Sequence, residues 1–178
     1  GTIEPRKNLL VLLEAYQTLL RANANAPRLV IAGRKGWLYQ PVFDRVRELG
    51  LDAQVHFTDW VDEADAPALM NLADVFVFPS LYEGFGLPPL EAMACGIPVI
   101  CSNASSLPEI MGEAGILFEP HDTHALVQAM SRVLENEGTR QALRKAGLEQ
   151  AQKFSWERAA RETLQVYEEA VGRKLASG

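Results

Sequence analysis

Cysteine is scarce: the 178 residues contain two, Cys95 and Cys101. Cys95 falls at an apparent helix start and Cys101 at a strand end, a usage that suits buried thiols rather than a disulfide. Positive charge is short as well, with 17 Lys and Arg against 23 Asp and Glu and a net charge of -6. That balance creates no field drawing in nucleic acid or anionic lipid, so any phosphate site has to be built locally. No apolar run is long enough to span a bilayer, and the opening GTIEPRKNLL has no signal-peptide hydrophobic region. The expected location is cytoplasmic, peripheral to a membrane in a longer parent. Internal repeats and low-complexity linkers are absent too. What is present is a chain 48% hydrophobic, enough for one sizeable core or a domain plus a docking extension.

Apolar positions 9, 10, 12, 13, 16, 19 and 20 recur at helical spacing and predict a helix over 6–24. RLVIAG then reads as a buried strand. The alternation continues with a helix over 40–49, a strand over 54–58, a helix over 63–72, a strand over 75–79, a helix over 88–95 and a strand over 98–102. A short strand at GILFEP precedes helices over 122–135, 138–153 and 155–172. Short apolar strands alternating with helices predict an α/β fold, a Rossmann-like doubly wound parallel sheet covered on both faces. Gly1 to Pro5 reads as the loop after a first strand that lies outside the sequence, so truncation of that strand is the expectation. The expected organisation is a domain over 1–153 and a C-terminal crossover helix and tail over 154–178.

In an open parallel sheet, ligands sit beyond the carboxyl ends of the strands. SLYEGFGLPPLEA occupies such a loop. Gly84 and Gly86 let the backbone approach a ligand, and Pro88 and Pro89 suit a first helical turn. Free amides backed by the helix dipole make an anion site. Glu83 falls in the loop and Glu91 about one turn into the helix, so both carboxylates can accept bonds from the hydroxyls of one ligand. A turn residue and a first-turn acid would look the same. Two common phosphate patterns do not fit: Pro89 stands where a dinucleotide fingerprint has its third glycine, and GRKGW at 33–37 lacks the Lys-Ser/Thr pair of a P-loop.

FVFPSLYEGFGLPPLEAMACGIPVI, with SSLPEI and AGILFEP after it, resembles the donor-binding half of retaining glycosyltransferases of family 4, which have the GT-B fold. The resemblance runs from EPRKNL to FSWERAA. It implies that Glu91 holds the ribose of a nucleotide sugar, that Glu83 contacts the transferred sugar, and that amides around Phe85, Gly86 and Leu87 meet sugar and diphosphate. It matches Lys7 to the family's phosphate lysine, with Arg6 beside it. An ammonium there suits a leaving diphosphate that gains charge. Many relatives carry arginine where this chain has Thr2, which leaves Arg6 or Arg34 as the second phosphate cation. The nucleobase is expected near Gly33, Arg34, Lys35 and the backbone around Trp60 and Val61. Trp37 and Trp60 are read as packing residues rather than stacking platforms. Lys7 and Glu83 are thus the expected catalytic residues, and the resemblance implies no divalent metal and no cofactor.

Other polar clusters carry less. His121, Asp122 and His124 read as a helix start with a capping aspartate rather than a metal site. His56 reads as a core or sheet-face residue, and DEADAP at 62–67 as an acidic helix entry. The partners implied are a nucleotide-sugar donor and an N-terminal acceptor domain, with no nucleic acid. A nucleotide-sugar epimerase half, a noncatalytic nucleotide-sugar module or a structural interaction domain are the alternatives. In the last helix Ser155 is the expected cap. Trp156, Ala159, Ala160, Thr163, Leu164, Tyr167, Ala170 and Val171 form an apolar stripe, a surface for an N-terminal lobe or for self-association.

Overall fold

The computed structural model describes residues 1–176. Its elements run β1 (Thr2–Ile3), a 3-10 turn (Pro5–Lys7), α1 (Leu9–Ala22), β2 (Leu29–Ala32), β3 (Arg34–Lys35), α2 (Gln40–Glu48), β4 (Val55–Asp59) and α3 (Ala66–Asn71). Then come β5 (Phe76–Phe78), α4 (Leu87–Ala94), β6 (Val99–Ser102), α5 (Leu107–Met111), β7 (Ile116–Phe118), α6 (Thr123–Glu135), α7 (Glu137–Ala151) and α8 (Trp156–Ala176). The α/β alternation is the expected one, and every ladder between named strands is parallel. The pairing is divided among three ladders, β1-β3, β2-β4 and β5-β6-β7, rather than running through one continuous sheet.

β6 shows why the sheet needs cover on both sides. Val99 and Cys101 join one apolar cluster with Met93, Leu107, Ile110 and Met111, while the intervening Ile100 joins the other with Leu13, Leu126 and Val133. Successive side chains of a strand point to opposite faces, so all four β6 residues are buried. Helices α1 and α6 pack together on one side, and α4 packs on α7 on the other.

Four local expectations change. The first helix starts at Leu9, because Asn8 adopts a left-handed conformation (φ 54°) that ends the 3-10 turn carrying Arg6 and Lys7. Thr2–Ile3, expected in a loop, pairs in parallel with Arg34–Lys35, which was also expected in a loop. Cys95 closes α4 instead of opening a helix. The short helix α5, whose Leu107, Ile110 and Met111 are buried, adds an element the periodicity did not reveal. Five residues are too few for a 3.6-residue repeat to register.

Candidate active site

Three loops at the carboxyl ends of strands supply the site. The 80–86 loop follows β5, the 103–106 loop follows β6, and the turn bearing Arg6 and Lys7 lies against the 80–86 loop. Asn8 makes the last arrangement possible. Its buried side-chain amide donates to the carbonyls of Pro79 (3.1 Å) and Pro120 (2.7 Å), just past β5 and β7. The Leu81 amide donates to the Arg6 carbonyl at 2.8 Å, which ties the turn to the loop a second time.

Lys7 and Glu83 meet here, 76 positions apart in sequence. The Lys7 ammonium lies 2.7 Å from Glu83 Oε1 and 4.8 Å from the Phe78 ring centroid. Glu83 Oε2 takes a second cation, Arg6, at 2.8 Å. Arg6 also binds Glu4 at 2.6 Å and the Tyr82 carbonyl. Lys7 and Glu83 side chains are 16% and 12% exposed, so neither is a freely solvated surface group. Burial pushes the Glu83 carboxyl up, yet Lys7 foremost, then Ser80 and Arg6, outweigh it and hold the carboxyl below its ordinary range. Ser80 is fully buried, and its Oγ has no hydrogen-bond partner.

Two serines that sequence reasoning passed over hold the loop. Ser105 Oγ accepts from the Glu83 amide at 2.8 Å, and the Ser106 hydroxyl lies 2.9 Å from the Glu83 carbonyl and 2.5 Å from that of Phe85. Both belong to SSLPEI, where a hydroxyl carries no periodic or charge signature. Phe85 also meets Phe154 edge-on, with centroids 6.0 Å apart. Gly86 caps α4 at φ 127°, where a Cβ would come within 3.1 Å of Leu107. Because Pro88 and Pro89 have no N-H, the donors available at this helix start are the amides of Leu87 and the loop before it. Glu91 follows on the exposed face of α4.

The remaining expected residues lie at the β2–β4 edge. Register sets Arg34 beside Thr2. Gly33 approaches the Gly1 carbonyl so closely that an added Cβ would lie 2.3 Å from it. Lys35 turns toward the rings of Tyr39 and Phe43, 5.6 and 5.2 Å from their centroids, in a groove of about 310 Å³ beside α2. Val61 is half-buried just beyond β4.

The packing reading of Trp37 and Trp60 is overturned: they are 63% and 60% exposed. Both stand in loops past strand ends, Trp37 after β3 and Trp60 after β4. Trp60 is fixed instead by its indole N-H on Asp62 (3.0 Å) and by the Arg34 guanidinium 5.5 Å from its ring. The other readings hold locally. Asp122 caps α6 through the Ala125 amide, Ser155 accepts from the Arg158 amide, and His56 lies on an exposed face of β4. No helix among the described residues is long and apolar enough to cross a membrane.

The assembled edge offers two paired cations, the amides that lead into α4, and exposed carboxylate and aromatic groups. That combination suits an anionic ligand carrying hydroxyls. Comparison with known proteins places the chain among relatives. The chain is 40% identical over 167 residues to the O-antigen chain mannosyltransferase B of Escherichia coli, covering 94% of this chain and 44% of that protein. Sucrose-phosphate synthase from Thermosynechococcus elongatus superposes with a TM-score of 0.85 at 30% identity, over 97% of this chain and 44% of that one. The C-terminal domain of a glycosyl transferase group 1 family protein, LpcC from Francisella tularensis, superposes with a TM-score of 0.76 at 27% identity, over 86% of this chain and 82% of that one. The chain spans less than half the length of the curated relatives it matches. The family model for glycosyl transferases group 1 matches residues 1–150, and the chain belongs to that family.

Proposed function

We propose that this chain is the nucleotide-sugar donor domain of a retaining, metal-independent GT-B glycosyltransferase of family 4, and that it forms the C-terminal half of that enzyme. The observation that carries this reading is the cluster of Lys7, Arg6 and Glu83 against the amide-rich loop before α4. Its likeness to a structure that is itself a C-terminal domain supports the placement.

In this reading Lys7 holds the diphosphate and Arg6 supplies the second cation. As the glycosidic bond breaks, negative charge builds on the departing diphosphate, and fixed cations and amides stabilise that charge more than they stabilise the ground state. Glu83 orients sugar hydroxyls and Glu91 the ribose. The attack comes from the same face as the leaving group, whose phosphate oxygen takes the acceptor proton, so no enzyme nucleophile is needed. The acceptor is held by the other half of the enzyme, and the isolated chain binds donor but transfers poorly. Cytoplasmic residence fits a donor of this class. Mannose is the proposed sugar, on the strength of the mannosyltransferase relatives.

The test is a donor panel. Saturation-transfer NMR with GDP-mannose, UDP-glucose and UDP-N-acetylglucosamine should give transfer to ribose and sugar protons, strongest for GDP-mannose. Equal signals across the panel remove the mannose assignment, and no signal from any donor removes the reading.

A further inference from the structure

The two cations offered to a diphosphate are already spoken for. Glu83 divides its carboxylate between them, Oε1 on Lys7 at 2.7 Å and Oε2 on Arg6 at 2.8 Å, and Glu4 takes a further share of Arg6 at 2.6 Å. Two acids and two bases leave this cluster without net charge. An incoming diphosphate therefore competes with a carboxylate that is 88% enclosed and held in place by Ser105 and Ser106 through its own backbone.

We infer that Glu83 is an internal counter-ion that makes the site discriminate between a nucleotide sugar and the bare nucleoside diphosphate left after transfer. The inference rests on the donor-binding reading above. When phosphate oxygens take the Lys7 and Arg6 donors, Glu83 loses charge-assisted bonds inside a partly desolvated pocket, which is costly unless other donors replace them. A sugar brings several hydroxyl donors to the same place, and a carboxylate accepts them well. A bare diphosphate brings none. Glu83 thus weakens product more than donor, which favours release of product and entry of the next donor.

Calorimetric titration of the wild-type chain, Glu83→Gln and Glu4→Gln with GDP, UDP, GDP-mannose and UDP-glucose tests this. Glutamine keeps the shape of Glu83 but cannot neutralise Lys7. Glu83→Gln should bind the better diphosphate roughly tenfold more tightly, the scale of one charge-assisted bond, with little or no gain for the matching nucleotide sugar. Glu4→Gln removes a charge from the same cluster without touching Lys7, and its gain should be smaller. The inference is overturned if Glu83→Gln binds diphosphate no better than wild type, if it gains equally for diphosphate and nucleotide sugar, or if Glu4→Gln gains as much. A Glu83→Gln protein with an unchanged thermal unfolding profile and weaker diphosphate binding also overturns it, by making Glu83 a support for Lys7. No binding by any of the proteins overturns the donor reading and the inference with it.

Discussion

Glu83 is the residue whose environment in the folded chain differs most usefully from that in the unfolded one. Its carboxyl is held below the ordinary 4.5 by Lys7, Ser80 and Arg6 despite burial that acts the other way. Depressed on folding, it contributes stability that is fully present above its unfolded pKa and is lost as pH falls through its folded value. Wild type should therefore lose its advantage in Tm over Glu83→Gln when acidified from about pH 6 to about pH 3. Parallel pH profiles of the two proteins would show that the ion pairs add nothing to folding. Glu91 differs, because it is exposed on α4 and its proposed partners are ribose hydroxyls. Glu91→Ala should cost about 1.5 to 3 kcal/mol in nucleoside diphosphate binding and almost nothing in pyrophosphate binding. Equal losses for both ligands would sink the ribose assignment.

At the scale of elements, the turn that carries Lys7 depends on Asn8. Asn8→Ala loses the hydrogen bonds to the Pro79 and Pro120 carbonyls and puts at φ 54° a residue that enters the left-handed region less readily than asparagine. At about 1 kcal/mol per bond and about 1 for the backbone, it should destabilise the fold by roughly 3 kcal/mol in denaturant titration. Asn8→Gly should recover the backbone part alone. Identical losses would mean the left-handed conformation is unimportant. Asn8 also shows where the sequence was readable and where it was not. Helical spacing of apolar residues located α1 but could not detect that a left-handed asparagine detaches its first turn, since polar Arg6, Lys7 and Asn8 carry no periodicity. The paired glutamates, the glycines and the prolines fixed attention on the 80–91 segment because each has a local conformational or charge signature. Ser105, Ser106 and Phe154 act through contacts made only once the strands lie side by side.

On the scale of the whole molecule, α8 stands apart. Every residue of it from Trp156 to Gly172 is exposed, including Trp156 (78%), Tyr167 (64%) and Val171 (58%) of the expected stripe. Phe154, at the expected boundary, packs on Phe85 and on the cluster that contains Met93 and Met111. A chain ending at Ser155 should unfold cooperatively with a Tm within a few degrees of the full chain and keep its diphosphate affinity, since surface elements that bury little add little stability. Loss of cooperative unfolding would place α8 in the domain's own core. The parallel ladders and two covered faces were readable from the alternation of short apolar strands with helices. Their division into three ladders was not, because pairing partners are chosen by register and space rather than by composition.

The central claim is that this edge of the sheet binds a nucleoside diphosphate through Lys7. Calorimetric titration of the wild-type chain and of Lys7→Ala with GDP and with UDP tests it most directly. The account predicts saturable, one-to-one binding of at least one of the two to wild type, weakened about ten- to a hundredfold in Lys7→Ala, the loss of a charge-assisted phosphate bond. Wild type that binds neither nucleotide, or a Lys7→Ala chain that binds as tightly as wild type, would contradict it.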